Sequence, residues 1–258
     1  MTFSKRCLLA KYCAAADSDV CNRTCATFIG VSGRERRANV PQMYRMLTLD
    51  NSPAREGQPE IYELLSEYAA TFARQFDDDA APIKSLYLYS HEPGTGKTTT
   101  AAAVLNEYIV RHYIGAIKRG RQPAEVPAYF LDVNAWQSDF NEFNRPRIPD
   151  EIAEPAAERY YRAQKRAMTA PFVVLDDIGV RECSEAFRAD LHRIINARVT
   201  AGLPTVYTSN IPLSEINDVF REVPARLADR MRDLCAVLTF KGGSKRGLQR
   251  REGTENER

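Results

Sequence analysis

A loop rich in glycine and threonine, 90-SHEPGTGKTTT-100, follows the alternating apolar run 85-SLYLYS-90. A second apolar run, 172-FVVL-175, ends in the paired acids Asp176 and Asp177. A glycine turn that leads from a strand into a helix suits phosphate. Backbone N–H groups and the helix N-terminus point at the anion, and glycine lets the chain approach it closely. His91 stands at the first glycine position of the pattern G-x-x-x-x-G-K-[ST], whereas Gly94, Gly96, Lys97 and Thr98 fit it. Lys97 would neutralise the β- and γ-phosphates, and the Thr98 hydroxyl would ligate Mg²⁺. The expected nucleotide contacts are Pro93, Gly94, Thr95, Gly96, Lys97, Thr98 and Thr99.

The paired acids supply the other half of the chemistry. An apolar strand carries both to its C-terminal end, where α/β sheets bind ligands. Asp176 suits the metal, and Asp177 suits polarisation of an attacking water. A glycine turn before a lysine is common, and so is an acid pair in a strand-end turn. Both together, on strands in the expected order, point to binding of a nucleoside triphosphate.

The elements that must position these residues are legible as periodicities. Apolar runs at 84–90, 127–133, 171–177, 204–210 and 234–240 predict five strands, with helices at about 97–113 and 184–200 between them. The second of these helices places Phe187, Leu191, Ile194 and Ile195 on one stripe. Alternating strands and helices imply a parallel sheet covered on both faces. Ahead of the sheet, 59–76 carries Ile61, Leu64, Leu65, Tyr68, Phe72 and Phe76 at helical steps. The stretch 32-SGRERRANVP-41 reads as a basic, turn-rich connector.

With 258 residues, 44% hydrophobic and 27% charged, the chain has the composition of a folded globular protein. A net charge of +2 excludes a bulk polycation, so any nucleic-acid contact must come from a local patch. No apolar run approaches the ~18 residues of a spanning helix. The only apolar core near the N-terminus is 7-CLLA-10, too short for a signal peptide, so a cytoplasmic chain without membrane contact is expected.

The motifs HEPGTGKT, VVLDDIG, YTSN and ARLADRMR, in this order and spacing, resemble those of the DnaC/DnaI-type helicase loaders of the AAA+ superfamily, close to IstB-like ATPases. The resemblance covers about residues 40 to 246. It implies an α/β AAA+ P-loop fold with a five-stranded parallel sheet, a truncated helical lid and a small N-terminal zinc-type module. It also implies that ATP-bound subunits assemble and place a hexameric replicative helicase on single-stranded DNA. Carried over, Lys97 and Thr98 are Walker A, Asp176 and Asp177 Walker B, and Asn210 the first sensor. Arg230 matches the arginine finger that reaches a neighbouring subunit's ATP, and Arg246 resembles the second sensor. On residues alone, Asn210 equally suits the cap of a following helix, and Arg226 with Arg230 a solvated basic face. Asp177 stands where many AAA+ ATPases have Glu, so slow hydrolysis suited to a switch is expected. The compact build fits a phage-encoded chain working in a host cytoplasm. An IstB-like transposition helper and a nucleotide-sensing adaptor with negligible turnover are the alternatives.

Cys7, Cys13, Cys21 and Cys25 form C-x5-C-x7-C-x3-C. Disulfides rarely persist in a reducing compartment, and four thiolates suit one tetrahedral structural zinc. Free or redox thiols are the other reading, and Cys183 and Cys235 are expected as buried thiols. The chain then divides into a four-cysteine module at 1–32 that docks the partner, a linker and amphipathic helix at 33–80, the ATPase core at 81–246 and a flexible tail at 247–258. In the loaders such a module contacts the helicase, here with Tyr12 and Phe28 as candidates. In 139–168, Ala156, Tyr160, Ala163 and Ala167 line one helix face and leave Arg159, Tyr161, Arg162, Lys165 and Arg166 outward. Basic residues with an aromatic suit single-stranded DNA through phosphate neutralisation and base stacking.

Overall fold

The apolar runs form strands β1 (Ser85–Tyr89), β2 (Ala128–Asp132), β3 (Phe172–Asp176), β4 (Thr205–Ser209) and β5 (Cys235–Thr239). The computed structural model describes residues 3–179, 182–216 and 226–244, with Arg226 and Leu227 as backbone only. The strands form one parallel sheet in the order β2-β3-β4-β1-β5. This order brings the C-terminal ends of β1, β3 and β4 together at the centre of one sheet edge.

Successive strand residues face opposite sides, and both sides are covered. Leu86, Leu88, Phe130, Val174 and Val206 pack against α2 (Pro59–Ala70) and α3 (Lys97–Lys118). Tyr87, Tyr129, Leu131, Val173, Leu175 and Tyr207 meet α4 (Val133–Phe143), α5 (Asp150–Thr169), α6 (Glu185–Thr200) and α7 (Arg226–Leu234). Burial on both faces explains why the strands read as near-continuous apolar runs. In α6 the expected stripe of Phe187, Leu191, Ile194 and Ile195 is buried.

Four details differ from the periodicity. The helix α3 runs on to Lys118 and stops where Gly120 takes φ 64°, the left-handed position that favours glycine just past a helix end. The stripe of α2 is centred on Ile61, Tyr62, Leu65 and Ala69, which turns Leu64 out to solvent. The stretch 32–41 is helical as far as Arg37, because α1 (Ala26–Arg37) crosses the expected boundary at residue 32. Gly30 serves helix packing there: a Cβ on it would lie 2.7 Å from the Tyr113 hydroxyl of α3. The polar stretch after β2 folds as the hairpin of α4 and α5. The Trp136 ring stacks on Tyr160 at 4.6 Å, and its Nε1–H donates to the Tyr160 carbonyl at 3.1 Å.

The N-terminal segment packs on α3, where Leu8, Leu9 and Val31 meet Val110. The Tyr12 hydroxyl donates to Glu107, and Lys11 pairs with Asp50. Phe28 packs edge-on against Phe3 at 4.8 Å, so its ring is engaged within the module. Cys183 and Cys235 are half-buried, and burial pushes the Cys235 thiol up to about 12. Among the described residues no helix is long and apolar enough to cross a membrane. Arg246, the tail at 247–258 and the Arg226 side chain lie outside the described residues.

Candidate nucleotide-binding site

Between β1 and α3 the chain makes a tight loop. Two of its glycines adopt left-handed backbone, Gly94 at φ 75° and Gly96 at φ 101°. Gly96 is also hemmed in, since a Cβ there would sit 2.6 Å from the Ala54 Cβ. A short strap ahead of α2 thus lies directly on the loop. Hydrogen bonds hold the strap at both ends. The Ser52 and Tyr62 hydroxyls bond each other, and Tyr62 bonds Thr100 of α3 at 2.9 Å. Gln58 donates to the Lys241 carbonyl and accepts from the Lys241 N–H, which joins the strap to the chain just past β5.

The residues of the loop fit a phosphate. The N-terminus of α3 has no side-chain cap, so its first N–H groups point at the loop without a side-chain acceptor. Lys97 is buried, and its ammonium curls back to the Ser90 and Glu92 carbonyls at 3.5 and 3.3 Å. Thr95 is buried with its hydroxyl unpartnered. A buried hydroxyl without a partner costs roughly 1–3 kcal/mol, and an anion in the loop would satisfy it. Of the other expected contacts, Pro93 is exposed at the loop crest, and Thr98 and Thr99 sit half-buried in the first turn of α3.

Across the loop, β3 delivers its acids. Asp176 is buried and receives hydrogen bonds from the Thr208 hydroxyl at 2.7 Å and from Thr98. The glycine loop and the acid at the end of β3 therefore meet in this chain. Burial pushes the Asp176 carboxyl up to about 7. The nearby charges of Asp177 and Asp132 push the same way, and the two threonine hydroxyls oppose them. Such a carboxyl calls for a cation, and magnesium beside Thr98 and Asp176 would supply one. Asp177 takes φ 59°, and its N–H donates to the Thr208 hydroxyl at 2.8 Å.

Asn210 does not cap a helix through its side chain. Its Nδ2–H donates to the His91 carbonyl at 3.2 Å, which ties the end of β4 to the entrance of the loop. The site thus gathers the loop residues, Asp176, Asp177 and Asn210. Sequence reasoning missed Thr208, although it lies inside the YTSN motif two residues before Asn210. It also missed Ala54, whose surroundings carry no pattern that would mark it.

The remaining expected residues lie elsewhere. Arg230 is exposed on α7, where it donates to Asn196 at 3.0 Å and Thr200 at 3.1 Å on its own α6. Arg159 pairs with Asp139 and Glu142, and Arg162 pairs with Glu158. Arg166 lies over the Tyr129 ring at 6.0 Å, while Lys165 and Tyr161 are exposed. The four N-terminal cysteines gather loosely. Burial raises the Cys7 thiol first, and Cys13, Cys21 and Cys25 are near enough to raise it further. Among the described residues no three His, Cys, Asp or Glu side chains form a ready metal cage.

Residues 151–253 match the family of IstB-like ATP binding proteins. No curated protein matches the chain. Among solved structures, the crystal structure of DnaI is 20% identical with a TM-score of 0.53, covering 82% of this chain and 100% of that one. The DnaC helicase loader is 20% identical with a TM-score of 0.51, covering 78% of this chain and 100% of that one. Domain III of the Thermotoga maritima replication initiation protein DnaA is 15% identical with a TM-score of 0.50, covering 79% of this chain and 69% of that one. The chain therefore has the AAA+ fold, an α/β P-loop architecture shared with the DnaI and DnaC structures.

Proposed function

We propose that this chain is an ATP-dependent loader of a hexameric replicative DNA helicase onto single-stranded DNA, with ATP binding and slow hydrolysis as its switch. The observation that carries the reading is the meeting of Thr98, Asp176 and Asp177 beside a loop whose lysine is curled and whose Thr95 hydroxyl has no partner. The likeness in fold to the DnaI and DnaC structures supports the choice of task.

In this reading the loop amides and Lys97 hold the β- and γ-phosphates. Thr98 and Asp176 would hold magnesium, which would supply positive charge beside the phosphate oxygens. Asp177 orients and polarises the attacking water, and Asn210 holds the outer side of the γ-phosphate site. Asp is one methylene shorter than Glu, which leaves its carboxylate farther from the water and slows turnover. Arg230 completes a neighbour's site on assembly, leaving Asn196 and Thr200, and Arg246 serves as the second sensor.

The N-terminal module binds structural zinc through Cys7, Cys13, Cys21 and Cys25, and it docks the helicase. The nearness of Cys13, Cys21 and Cys25 to Cys7 supports this. The outer face of α5 carries single-stranded DNA by way of Tyr161, Arg162, Lys165 and Arg166, with Arg159 held at its border by two acids. A second reading, a transposition helper acting on target DNA, has the family match over residues 151–253 in its favour.

Turnover measured with a hexameric replicative helicase and single-stranded DNA, together and separately, tests the assignment. The loader reading expects stimulation that needs the helicase. Stimulation by duplex DNA and a transposase, with no response to helicase, would support the second reading instead.

A further inference from the structure

One buried hydroxyl contacts both acids at the end of β3. Thr208 lies in β4, fully buried, one step beyond the paired residues Leu175 and Tyr207. Its hydroxyl accepts the Asp177 N–H at 2.8 Å, so its single proton is left for Asp176, at 2.7 Å from Oδ1. Its carbonyl accepts the Ile178 N–H at 3.0 Å. Two consecutive peptide N–H groups and one carboxylate are thus fixed by a single residue.

The backbone between them is the place where fixing matters. Asp177 takes φ 59°, a left-handed conformation that is uncommon away from glycine and that Asp tolerates better than most residues. The two Thr208 contacts clamp the peptides on either side of its Cα and so set the direction of its side chain. Ser209 adds a third tie, its hydroxyl donating to the Ile178 carbonyl at 2.8 Å. Asp132 and Asp177 both add negative charge around Asp176, so the Thr208 proton is one of two hydroxyl protons that hold this carboxylate toward Thr98.

We propose that Thr208 is the positioning residue for the catalytic acids. It orients Asp176 toward the metal and holds Asp177 in the left-handed turn from which it meets water, without itself touching nucleotide. The proposal rests on the nucleotide and magnesium reading given above. It goes beyond that reading in assigning the acids' geometry to a hydroxyl on the sensor strand.

Thr208→Val keeps the shape and removes the hydroxyl, while Thr208→Ser keeps the hydroxyl and removes a methyl. Amide hydrogen exchange in nucleotide-free protein reads the clamp directly. Thr208→Val is expected to lose protection at Asp177, with protection elsewhere in β3 unchanged, and Thr208→Ser to retain it. Titration of magnesium against a fluorescent ATP analogue reads the metal side. Thr208→Val is expected to need roughly 10- to 100-fold more magnesium, the usual cost of losing a partner that orients a metal ligand, and Thr208→Ser is expected to stay near the parent. Parental exchange and magnesium dependence in Thr208→Val, or equal impairment in Thr208→Ser, would overturn the proposal while leaving the nucleotide reading intact. A parent protein that binds no ATP analogue at any magnesium concentration would overturn both.

Discussion

The side-chain amide of Asn210 donates to the backbone carbonyl of His91 at 3.2 Å, closing the end of β4 onto the mouth of the glycine loop. Neither residue conforms fully to a simple expectation. His91 stands where the loop pattern has glycine, and Asn210 has the composition of a helix cap. The contact explains both: His91 contributes its backbone, which any side chain permits, and Asn210 spends its amide on the loop.

Asn210→Ala is expected to leave ATP affinity within several-fold of the parent. Turnover should fall by roughly 10²-fold, the usual consequence of removing one fixed donor from a charged transition state. Nucleotide titration and single-turnover hydrolysis measure the two effects separately, and a loss confined to affinity would count against the role.

Gly96→Ala is expected to cost about 1–3 kcal/mol in denaturant unfolding, because φ 101° strains any residue with a Cβ and that Cβ meets Ala54 at 2.6 Å. Adding Ala54→Gly should relieve the clash and leave the backbone strain. The double variant therefore recovers part of the loss, and full recovery would show that the strap alone makes glycine necessary.

Acid stability should depend on His112. Its ring joins Gln75 at 2.6 Å and accepts the Ala124 N–H at 3.0 Å. Burial, with the Arg34 charge nearby, lowers it from 6.5 to about 4. The unfolded chain therefore binds a proton between these values that the folded chain refuses. Stability from this residue is present above pH 6.5 and drains as pH falls toward 4. Denaturant midpoints at stepped pH should show the decline, and His112→Gln should flatten it.

The purified protein is expected to carry about one zinc per chain, released together with the order of the cysteine-bearing N-terminal module when a strong chelator is added. Elemental analysis and amide exchange check this. Metal-free protein with the same exchange pattern in that module would remove zinc from the account.

The sheet and its loop were legible because they rest on local signals: apolar runs for the strands, and glycine, lysine and threonine in a fixed order. The paired acids were legible only beside the glycine loop, since an acid pair in a strand-end turn is common by itself. Thr208 was hidden because a threonine in a strand is ordinary β-branched filling until its hydroxyl is seen between two acids. Ala54 was hidden more deeply, as its role is only to occupy the space that Gly96 leaves. The connector at 32–41 misled because Ser32 and Gly33 suggest a turn, whereas α1 continues through them to Arg37. Arg159 looked outward and available by periodicity, but Asp139 and Glu142 come from α4, which no spacing within α5 reveals.

The proposed switch needs a triphosphate seated on the loop between Gly94 and Thr98. Equilibrium binding of ATP with magnesium to the parent and to Lys97→Ala measures that most directly. The account predicts saturable binding by the parent, weakened at least ~10-fold without the Lys97 ammonium and with the folded state intact by circular dichroism. Equal affinity in the two proteins, or none in the parent, would contradict it.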